Sequence, residues 1–286
     1  MALVINLGTF LLVIFMFIAS SECTNITIIN NCNETIWPGI HPSNFSIGGF
    51  ALRPNQTAVF TPPPAWHGRI WARTACDFGR NGTCQTGDCG PSLRCTAPGQ
   101  PPASIAEFSL GGGGGGTDYY DVSLVDGFNL PVLVMPLAGG GGKGNCSSAG
   151  CEADLRPSCP PELAVRSGGQ VVGCRSACNA FDKDDYCCRG AFSTPMACSP
   201  TEYSRRFKAA CPAAYSFAYD DPTSIVTCSA ADYIVAFCSS KNQTASLQCT
   251  DRDNKRICNG ANPTLMMKQL WRLLAVVAGI FTPVLM

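Results

Sequence analysis

The chain has 286 residues, with 20 basic side chains, 20 acidic side chains and 19 cysteines. The balanced charge excludes the strongly basic surface of nucleic-acid-binding proteins, so we expect no nucleic acid among its partners. The cysteine content excludes an ordinary cytosolic protein and predicts a disulfide-stabilised protein made for an oxidising compartment. Because there are only two histidines and no CxxC pair, we expect neither a metal site nor a cofactor.

The N-terminus is an apolar segment. Leu3–Ala19 is almost uninterrupted hydrocarbon, and small residues follow it. This pattern is typical of a secretory signal peptide, although the usual basic residue near the start is missing. We predict that residues 1–23 are a signal peptide and that the protein is extracellular; the alternative is an uncleaved membrane anchor. Removal of Cys23 would leave 18 cysteines, an even number that can all pair.

Short β-branched segments bounded by Gly, Pro or Asn follow the N-terminal segment and are typical of strands. Strands at turn-separated intervals predict an all-β sandwich or barrel. The segments are Asn25–Ile29, Thr57–Phe60, Arg69–Ala72, Asp121–Val125 and Pro131–Val134.

The best helix candidate is Pro200–Cys211, because a proline at the start and Glu202 in the first turn suit a helix N-terminus. The cysteines are densest between Cys146 and Cys211. That density predicts a loop-rich lobe held together by disulfides.

Seven Asn-X-Ser/Thr sequons predict N-glycosylation of the outer surface. Asn145 precedes Cys146, so a disulfide there would hinder its modification. The sequons are at Asn25, Asn33, Asn44, Asn55, Asn81, Asn145 and Asn242.

The C-terminus ends in a second apolar segment, Leu273–Met286. It is shorter than the roughly 20 residues that a membrane-spanning helix needs. Three small residues, Asn259-Gly260-Ala261, and a polar spacer precede it, which matches a signal for a glycosylphosphatidylinositol (GPI) anchor. We predict attachment at Asn259, with Gly260 as the next candidate, and removal of residues 260–286. The alternative is a short extension that packs on the protein or is trimmed.

Eight sequence blocks occur in an order that points to one family. They are Cys32–Ile40, Gly68–Cys76, Cys84–Cys89, Ala106–Leu110, Asp121–Asn129, Tyr186–Cys188, Pro200–Ser204 and Asp220–Ser224. In these blocks the chain resembles the thaumatin-like (osmotin) family of plants, from about Thr24 to Ser239. The resemblance implies an all-β fold, a flattened β-sandwich with two disulfide-rich lobes and one short helix, and we expect a monomer.

The resemblance also implies how the chain is divided. The parts are sandwich segments 24–73, 103–152 and 212–240, a small disulfide lobe 74–102, a large disulfide-rich lobe with the helix 153–211, and a tail 241–259.

The family has sixteen cysteines, and this chain has a cysteine at each matching position. Spacing alone does not choose a connectivity, but the resemblance implies one. Cys249 and Cys258 remain in the tail, and we infer that they form a ninth bridge. The implied pairs are Cys32–Cys238, Cys76–Cys84, Cys89–Cys95, Cys146–Cys228, Cys151–Cys211, Cys159–Cys174, Cys178–Cys187 and Cys188–Cys198.

Family members have a cleft between the sandwich and the large lobe that is lined by one arginine and four carboxylates. Because two of the matching aspartates are five residues apart, a regular strand would point them to opposite faces, and we expect a turn or bulge near Val125. Carried over residue by residue, the set is Arg69, Glu107, Asp121, Asp126 and one of the adjacent pair Asp220 and Asp221, with Asp220 favoured.

An acidic cleft suits the binding or the hydrolysis of polysaccharides. Carboxylates accept hydrogen bonds from sugar hydroxyls, and glycoside hydrolysis needs one protonated acid and one carboxylate. The main hypothesis is an antifungal defence protein, secreted or at the cell surface, that binds β-1,3-glucan or another wall polysaccharide. One alternative is an endo-β-1,3-glucanase with Glu107 as proton donor and Asp121 opposite it. The other is a wall-associated signalling module in which the membrane anchor matters more than the cleft.

Overall fold

The computed structural model describes residues 24–42, 49–80, 82–112, 116–137, 144–229, 232–242, 247–252 and 255–260, the last two ranges as backbone only. The predicted signal peptide, the apolar C-terminal segment, Asn44 and Asn81 lie outside the described residues. No helix in the described ranges is long and apolar enough to cross a membrane.

Fourteen strands occur in the described residues. They are β1 (Ile26–Asn30), β2 (Ile36–His41), β3 (Thr57–Phe60), β4 (His67–Thr74), β5 (Ile105–Ser109), β6 (Asp118–Ser123), β7 (Val132–Leu137), β8 (Ala149–Cys151), β9 (Ala164–Ser167), β10 (Gln170–Cys174), β11 (Val226–Cys228), β12 (Asp232–Phe237), β13 (Leu247–Arg252) and β14 (Lys255–Gly260).

Ten of these strands form two five-stranded sheets, in the orders β3-β1-β12-β7-β8 and β11-β6-β5-β4-β2. Strands β1 and β12 are parallel, and the other pairs in both sheets are antiparallel. The predicted all-β class is confirmed. Each of the five predicted strand segments overlaps an observed strand, although β6 begins earlier than predicted and ends at Ser123.

The second sheet is amphipathic because successive side chains of a strand point to opposite faces. Even-numbered residues of its central strands, such as Ile70, Ala106 and Tyr120, are fully buried in the main core. They pack in that core with side chains of the first sheet, such as Ile28 and Val134. The odd-numbered residues of β4, β5 and β6 therefore point to the outer face of the second sheet.

The outer face of the second sheet is covered at one end by the segment after β4. Trp71 and Ile105 pack there with the buried cysteines Cys89 and Cys95. The Trp71 indole also donates to the carbonyl oxygen of Gly87 at 2.7 Å. This cover stops before Arg69, so the adjacent part of the same face is left open for polar side chains.

Four short α-helices are described: α1 (Ala177–Phe181), α2 (Asp184–Cys187), α3 (Glu202–Ala210) and α4 (Asp221–Ser224). The predicted helix is α3, but the residue that caps it is Thr201. Its hydroxyl accepts from the Ser204 amide at 3.3 Å, while the Ser204 hydroxyl accepts from the Thr201 amide at 2.7 Å. The expectation of a single helix is therefore corrected, because three further helices of four or five residues occur.

The structure contains the eight disulfides that the family resemblance implies. Cys32–Cys238 joins two cysteines that are 206 residues apart in the chain. The backbone register of β13 and β14 places Cys249 opposite Cys258. Their side chains lie outside the description, so the ninth bridge stays a prediction.

Four of the sequon asparagines are exposed: Asn33, Asn55, Asn145 and Asn242. Asn25 differs, because its amide oxygen accepts from the Thr61 hydroxyl at 2.7 Å and its amide nitrogen lies 3.4 Å from Asp232. A glycan on Asn25 would have to replace these contacts. Glycosylation itself stays a prediction.

Candidate functional site

Arg69, Glu107 and Asp121 form a row across three neighbouring strands. The antiparallel register places Arg69 of β4 opposite Glu107 of β5, and Glu107 opposite Asp121 of β6. Directly opposite residues share a face of the sheet, with their Cβ atoms about 5 Å apart. All three have odd numbers and so point to the outer face. We call these three residues the charged row.

Arg69 and Glu107 form an ion pair, with 2.9 Å between Nη2 and Oε1. Their side chains are 39 % and 32 % exposed. Pairs this exposed contribute little to stability, so the effect of Arg69 is mainly on the charge of its neighbours. Burial raises the pKa of Glu107, the Arg69 guanidinium lowers it, and nearby Asp126 raises it again.

Asp121 has a more strongly perturbed carboxyl. Burial, together with the negative charges of Glu107 and Asp221, raises the pKa of Asp121 to about 8, while Arg69 opposes this rise. Its Oδ1 atom is buried and has no hydrogen-bond partner among the described residues. At neutral pH Asp121 is therefore mostly protonated, and its Oδ1 atom bears the cost of a buried polar atom whose hydrogen bond is not made.

Asp126 reaches the same region because the chain turns after β6. The amide of Gly127 donates to the carbonyl oxygen of Leu124 at 2.9 Å, and Gly127 has φ of +87°, which glycine adopts without strain. The expected turn near Val125 is thus present. Burial raises the pKa of Asp126 and Arg69 lowers it, so Asp126 interacts electrostatically with the charged row.

Asp220 and Asp221 have different roles. The buried Asp220 accepts from the amide and the hydroxyl of Ser216, both at 2.9 Å, and pairs with Lys208 at 3.0 Å. Asp221 is exposed, accepts from the Tyr215 hydroxyl at 2.9 Å, and is close enough to raise the pKa of Asp121. Of the two, Asp221 is therefore the carboxylate whose charge acts on Asp121, and the place of Asp220 in the cleft stays a prediction.

His41 extends the row on its other side, which the sequence did not indicate. It lies opposite Arg69 in the register of β2 and β4. Its Nδ1 atom is buried without a hydrogen-bond partner. Only the pairing of β2 with β4 brings His41 next to Arg69, so no local motif identifies it.

A small cavity lies in the large lobe between α2, α3 and the segment 216–218. Its volume is about 50 Å³. That is room for a few water molecules at most, which excludes a sugar ring. No member of the charged row lines it. In the described parts of the chain, no group of three or more His, Cys, Asp or Glu residues is arranged to hold a metal ion.

The thaumatin family model matches residues 30–239. The pathogenesis-related thaumatin-like protein 3.5 of Cryptomeria japonica is 48 % identical, over 82 % of this chain and 98 % of its own. A thaumatin-like protein of Arabidopsis thaliana is also 48 % identical, over 82 % and 97 %. An osmotin-like protein of Solanum lycopersicum is 43 % identical, over 79 % and 94 %.

One solved structure is also similar, that of the thaumatin-like xylanase inhibitor TLXI. It is 24 % identical and aligns over 75 % of this chain and 99 % of its own. The TM-score is 0.41.

Proposed function

The chain belongs to the thaumatin family, and from this premise we propose that it is an extracellular plant-defence protein that binds β-1,3-glucan or a related neutral wall polysaccharide through the charged row. Its relatives include proteins named as pathogenesis-related and osmotin-like. The eight disulfides suit an oxidising, extracellular location. If the bound polysaccharide belongs to a fungal wall, the defence is antifungal.

The observation that carries the proposal is the unpartnered Oδ1 atom of Asp121 beside the ion pair of Arg69 and Glu107. A sugar hydroxyl both donates and accepts hydrogen bonds. The charged row can meet both needs of a hydroxyl. Arg69 donates hydrogen bonds, ionised Glu107 accepts them, and protonated Asp121 can do either. A buried polar oxygen without a partner costs about 1–3 kcal/mol, so a ligand whose binding turns this oxygen toward a sugar hydroxyl would remove that cost.

Hydrolysis of the glucan is the second candidate, and the unequal pKa values of the two carboxyls favour it. Retaining glycosidases use two carboxyls about 5 Å apart, one protonated and one ionised. The catalytic roles of the two carboxyls would then be the reverse of those expected from the sequence. Asp121, with its raised pKa, would be the proton donor, and Glu107, paired with Arg69, would be the nucleophile.

The two functions are separated by measuring binding and hydrolysis on the same preparation. The glycosylated protein, secreted from a eukaryotic host, is incubated with a soluble β-1,3-glucan. Bound glucan is measured by calorimetry and released reducing sugar by colorimetry. Binding without release supports a recognition site. Release that disappears in Glu107→Gln and Asp121→Asn identifies a hydrolase.

Matched controls are the exposed residues Glu202 and Asp185, as Glu202→Gln and Asp185→Asn. They make the same chemical changes on the large lobe and are expected to leave binding unchanged. Absence of both binding and release would refute the proposal and leave the signalling module as the alternative.

Attachment to the cell surface is a separate part of the proposal. Asn259 lies near the end of β14, opposite Gln248 of β13, and the apolar segment predicted to be removed begins beyond it. We propose that Asn259 carries the GPI anchor. A phosphatidylinositol-specific phospholipase C should then release the protein from intact cells, and deletion of residues 273–286 should make it soluble in the medium. Retention after phospholipase treatment would contradict this.

A further inference from the structure

A second row of side chains lies on the outer face of the same sheet, next to the charged row. The strand register places His67 opposite Ser109, Ser109 opposite Tyr119, and Tyr119 opposite Thr227. Residues i and i+2 of a strand share a face, so Tyr119 is the immediate neighbour of Asp121 on β6. The second row carries no carboxylate, and its largest side chain is Tyr119.

Tyr119 is exposed in a way that the adjacent tyrosine is not. Its side chain is 47 % exposed, whereas Tyr120 is fully buried and donates its hydroxyl to the carbonyl oxygen of Ser147. Tyr119 makes no aromatic contact and no side-chain hydrogen bond with any described residue. Among the described residues, neither packing nor hydrogen bonding accounts for the position of this ring.

Ile225 is a second exposed apolar side chain at the same place, with 42 % of its surface exposed. It directly precedes β11, in which Val226 lies opposite Tyr120. The same register continued by one residue places Ile225 opposite Asp121. The protonated carboxyl is thus flanked by Tyr119 along its own strand and by Ile225 across the sheet.

This combination matches the two surfaces of a sugar ring. A pyranose has an apolar face formed by its C–H groups and a polar edge formed by its hydroxyls. Tyrosine offers a large flat apolar surface at a low conformational cost, and carboxyls bind hydroxyls. Single exposed apolar residues are ordinary on protein surfaces, but Tyr119 and Ile225 lie on either side of a carboxyl that can bind a hydroxyl.

We propose that Tyr119 is the sugar-stacking residue of the polysaccharide site, with Ile225 as a second apolar contact. A neutral hexose ring packs on the Tyr119 ring while its hydroxyls reach Glu107 and Asp121. Polysaccharides of uronic acids should bind less tightly than neutral ones, because Glu107, Asp126 and Asp221 together outweigh the single positive charge of Arg69 and would repel their carboxylates. The inference rests on the proposed function and names the ligand class of that site.

The test compares three variants in calorimetric titrations with a soluble β-1,3-glucan. Tyr119→Ala should weaken binding by about tenfold, in line with the loss of one well-placed aromatic contact. Tyr119→Phe keeps the ring and should bind within about twofold of the unchanged protein. Phe192→Ala removes an aromatic side chain of similar exposure (37 %) from the large lobe and should have no effect.

Each outcome decides one question. If the unchanged protein does not bind the glucan, the proposed function fails and this inference fails with it. If it binds and Tyr119→Ala binds equally well, only the stacking role is refuted. Equal losses in Tyr119→Ala and Tyr119→Phe would assign the effect to the hydroxyl and also refute stacking. Binding of polygalacturonate as tightly as the glucan would refute the preference for neutral sugars.

A second measurement needs no variant. Nitration of tyrosines by tetranitromethane is measured by peptide mass spectrometry. Saturating β-1,3-glucan should slow the nitration of Tyr119 at least severalfold relative to the nitration of Tyr219. Equal nitration rates with and without bound glucan would contradict the proposal.

Discussion

Glu107 and Asp121 lie directly opposite each other on β5 and β6, yet their carboxyls are in different electrostatic states. Glu107 has the guanidinium of Arg69 at 2.9 Å, whereas Oδ1 of Asp121 is buried without a partner and the pKa of Asp121 is raised to about 8. At neutral pH, the first proton taken up by this pair therefore resides on Asp121. A hydroxyl-rich ligand at this site would therefore have a hydrogen-bond acceptor, Glu107, next to a hydrogen-bond donor, Asp121.

The raised pKa of Asp121 predicts a pH-dependent effect of Asp121→Asn on stability. The pKa of Asp121 is higher in the folded protein than the value of 3.8 for a free side chain, so folding favours the protonated form. Ionisation of Asp121 then lowers the free energy of unfolding as the pH rises from about 4 to about 8. The asparagine side chain cannot ionise, so the variant avoids this loss. Its free energy of unfolding should be about 1–3 kcal/mol higher than that of the unchanged protein at pH 8, and no higher at pH 4.

This prediction is checked by equilibrium unfolding in guanidinium chloride at pH 4 and pH 8, with disulfides intact. Asp185→Asn, at an exposed position, serves as the control and should show no such difference between the two pH values. An effect of Asp121→Asn of the same size at both pH values would mean that it acts through packing or hydrogen bonding, and not through the charge.

Local sequence patterns predict the strands of the site but not all of its members. Short β-branched segments with turn residues at their ends indicate where β4 and β6 lie, and β3 has the predicted bounds. Helices α1 and α2 are too short to show a helical period in the sequence. They end at Asp182 and Cys188, whose left-handed backbone conformations no local sequence pattern predicts.

The choice between Asp220 and Asp221 shows why the rest of the site could not be read from sequence. The two residues are adjacent and have the same side chain. What separates them is the amine of Lys208, which α3 brings to the buried carboxylate of Asp220 by tertiary packing. His41 is a similar case, since only the pairing of β2 with β4 places it next to Arg69.

Lys208 is predicted to support the segment that carries Asp221. Its amine donates to Asp220 at 3.0 Å, to the Ala214 carbonyl oxygen at 3.0 Å and to the Ser224 hydroxyl at 2.8 Å. Lys208→Met would leave the buried carboxylate of Asp220 without its cation. Because a broken buried pair leaves an uncompensated charge, we expect a loss of about 3 kcal/mol in the free energy of unfolding at pH 7.

The control for Lys208→Met is Arg206→Gln on the same helix. Arg206 pairs with Glu202 at the exposed surface, and its loss should cost less than about 0.5 kcal/mol. Equal losses in the two variants, measured by urea unfolding, would show that the Lys208–Asp220 pair gives no special support.

Arg69 is predicted to hold down the pKa values of three carboxyls. The guanidinium lowers the pKa of Glu107, Asp121 and Asp126. Arg69→Gln removes that positive charge and should move all three titrations to higher pH, which carboxyl-carbon NMR measures directly. More of Glu107 is then protonated at neutral pH, so glucan binding should weaken. The control is Arg53→Gln at an exposed position, which should leave the pKa values of the three carboxyls unchanged. Unchanged pKa values in Arg69→Gln would contradict the prediction.

Cys32–Cys238 is predicted to contribute more stability than the short-range disulfides. It joins cysteines 206 residues apart, whereas Cys178–Cys187 joins cysteines 9 residues apart. In the chain-entropy model, a bridge restricts the unfolded chain more when it closes a longer loop, which gives about 5 kcal/mol for the first bridge and about 3 kcal/mol for the second. Paired Cys→Ser variants of each bridge, unfolded in guanidinium chloride at constant pH, measure the two losses. Because each variant loses one bridge and keeps all the others, the difference between the losses reports the closed loop and not the overall disulfide content. Equal losses would mean that contacts in the folded protein, and not the dimensions of the unfolded chain, set what each bridge contributes.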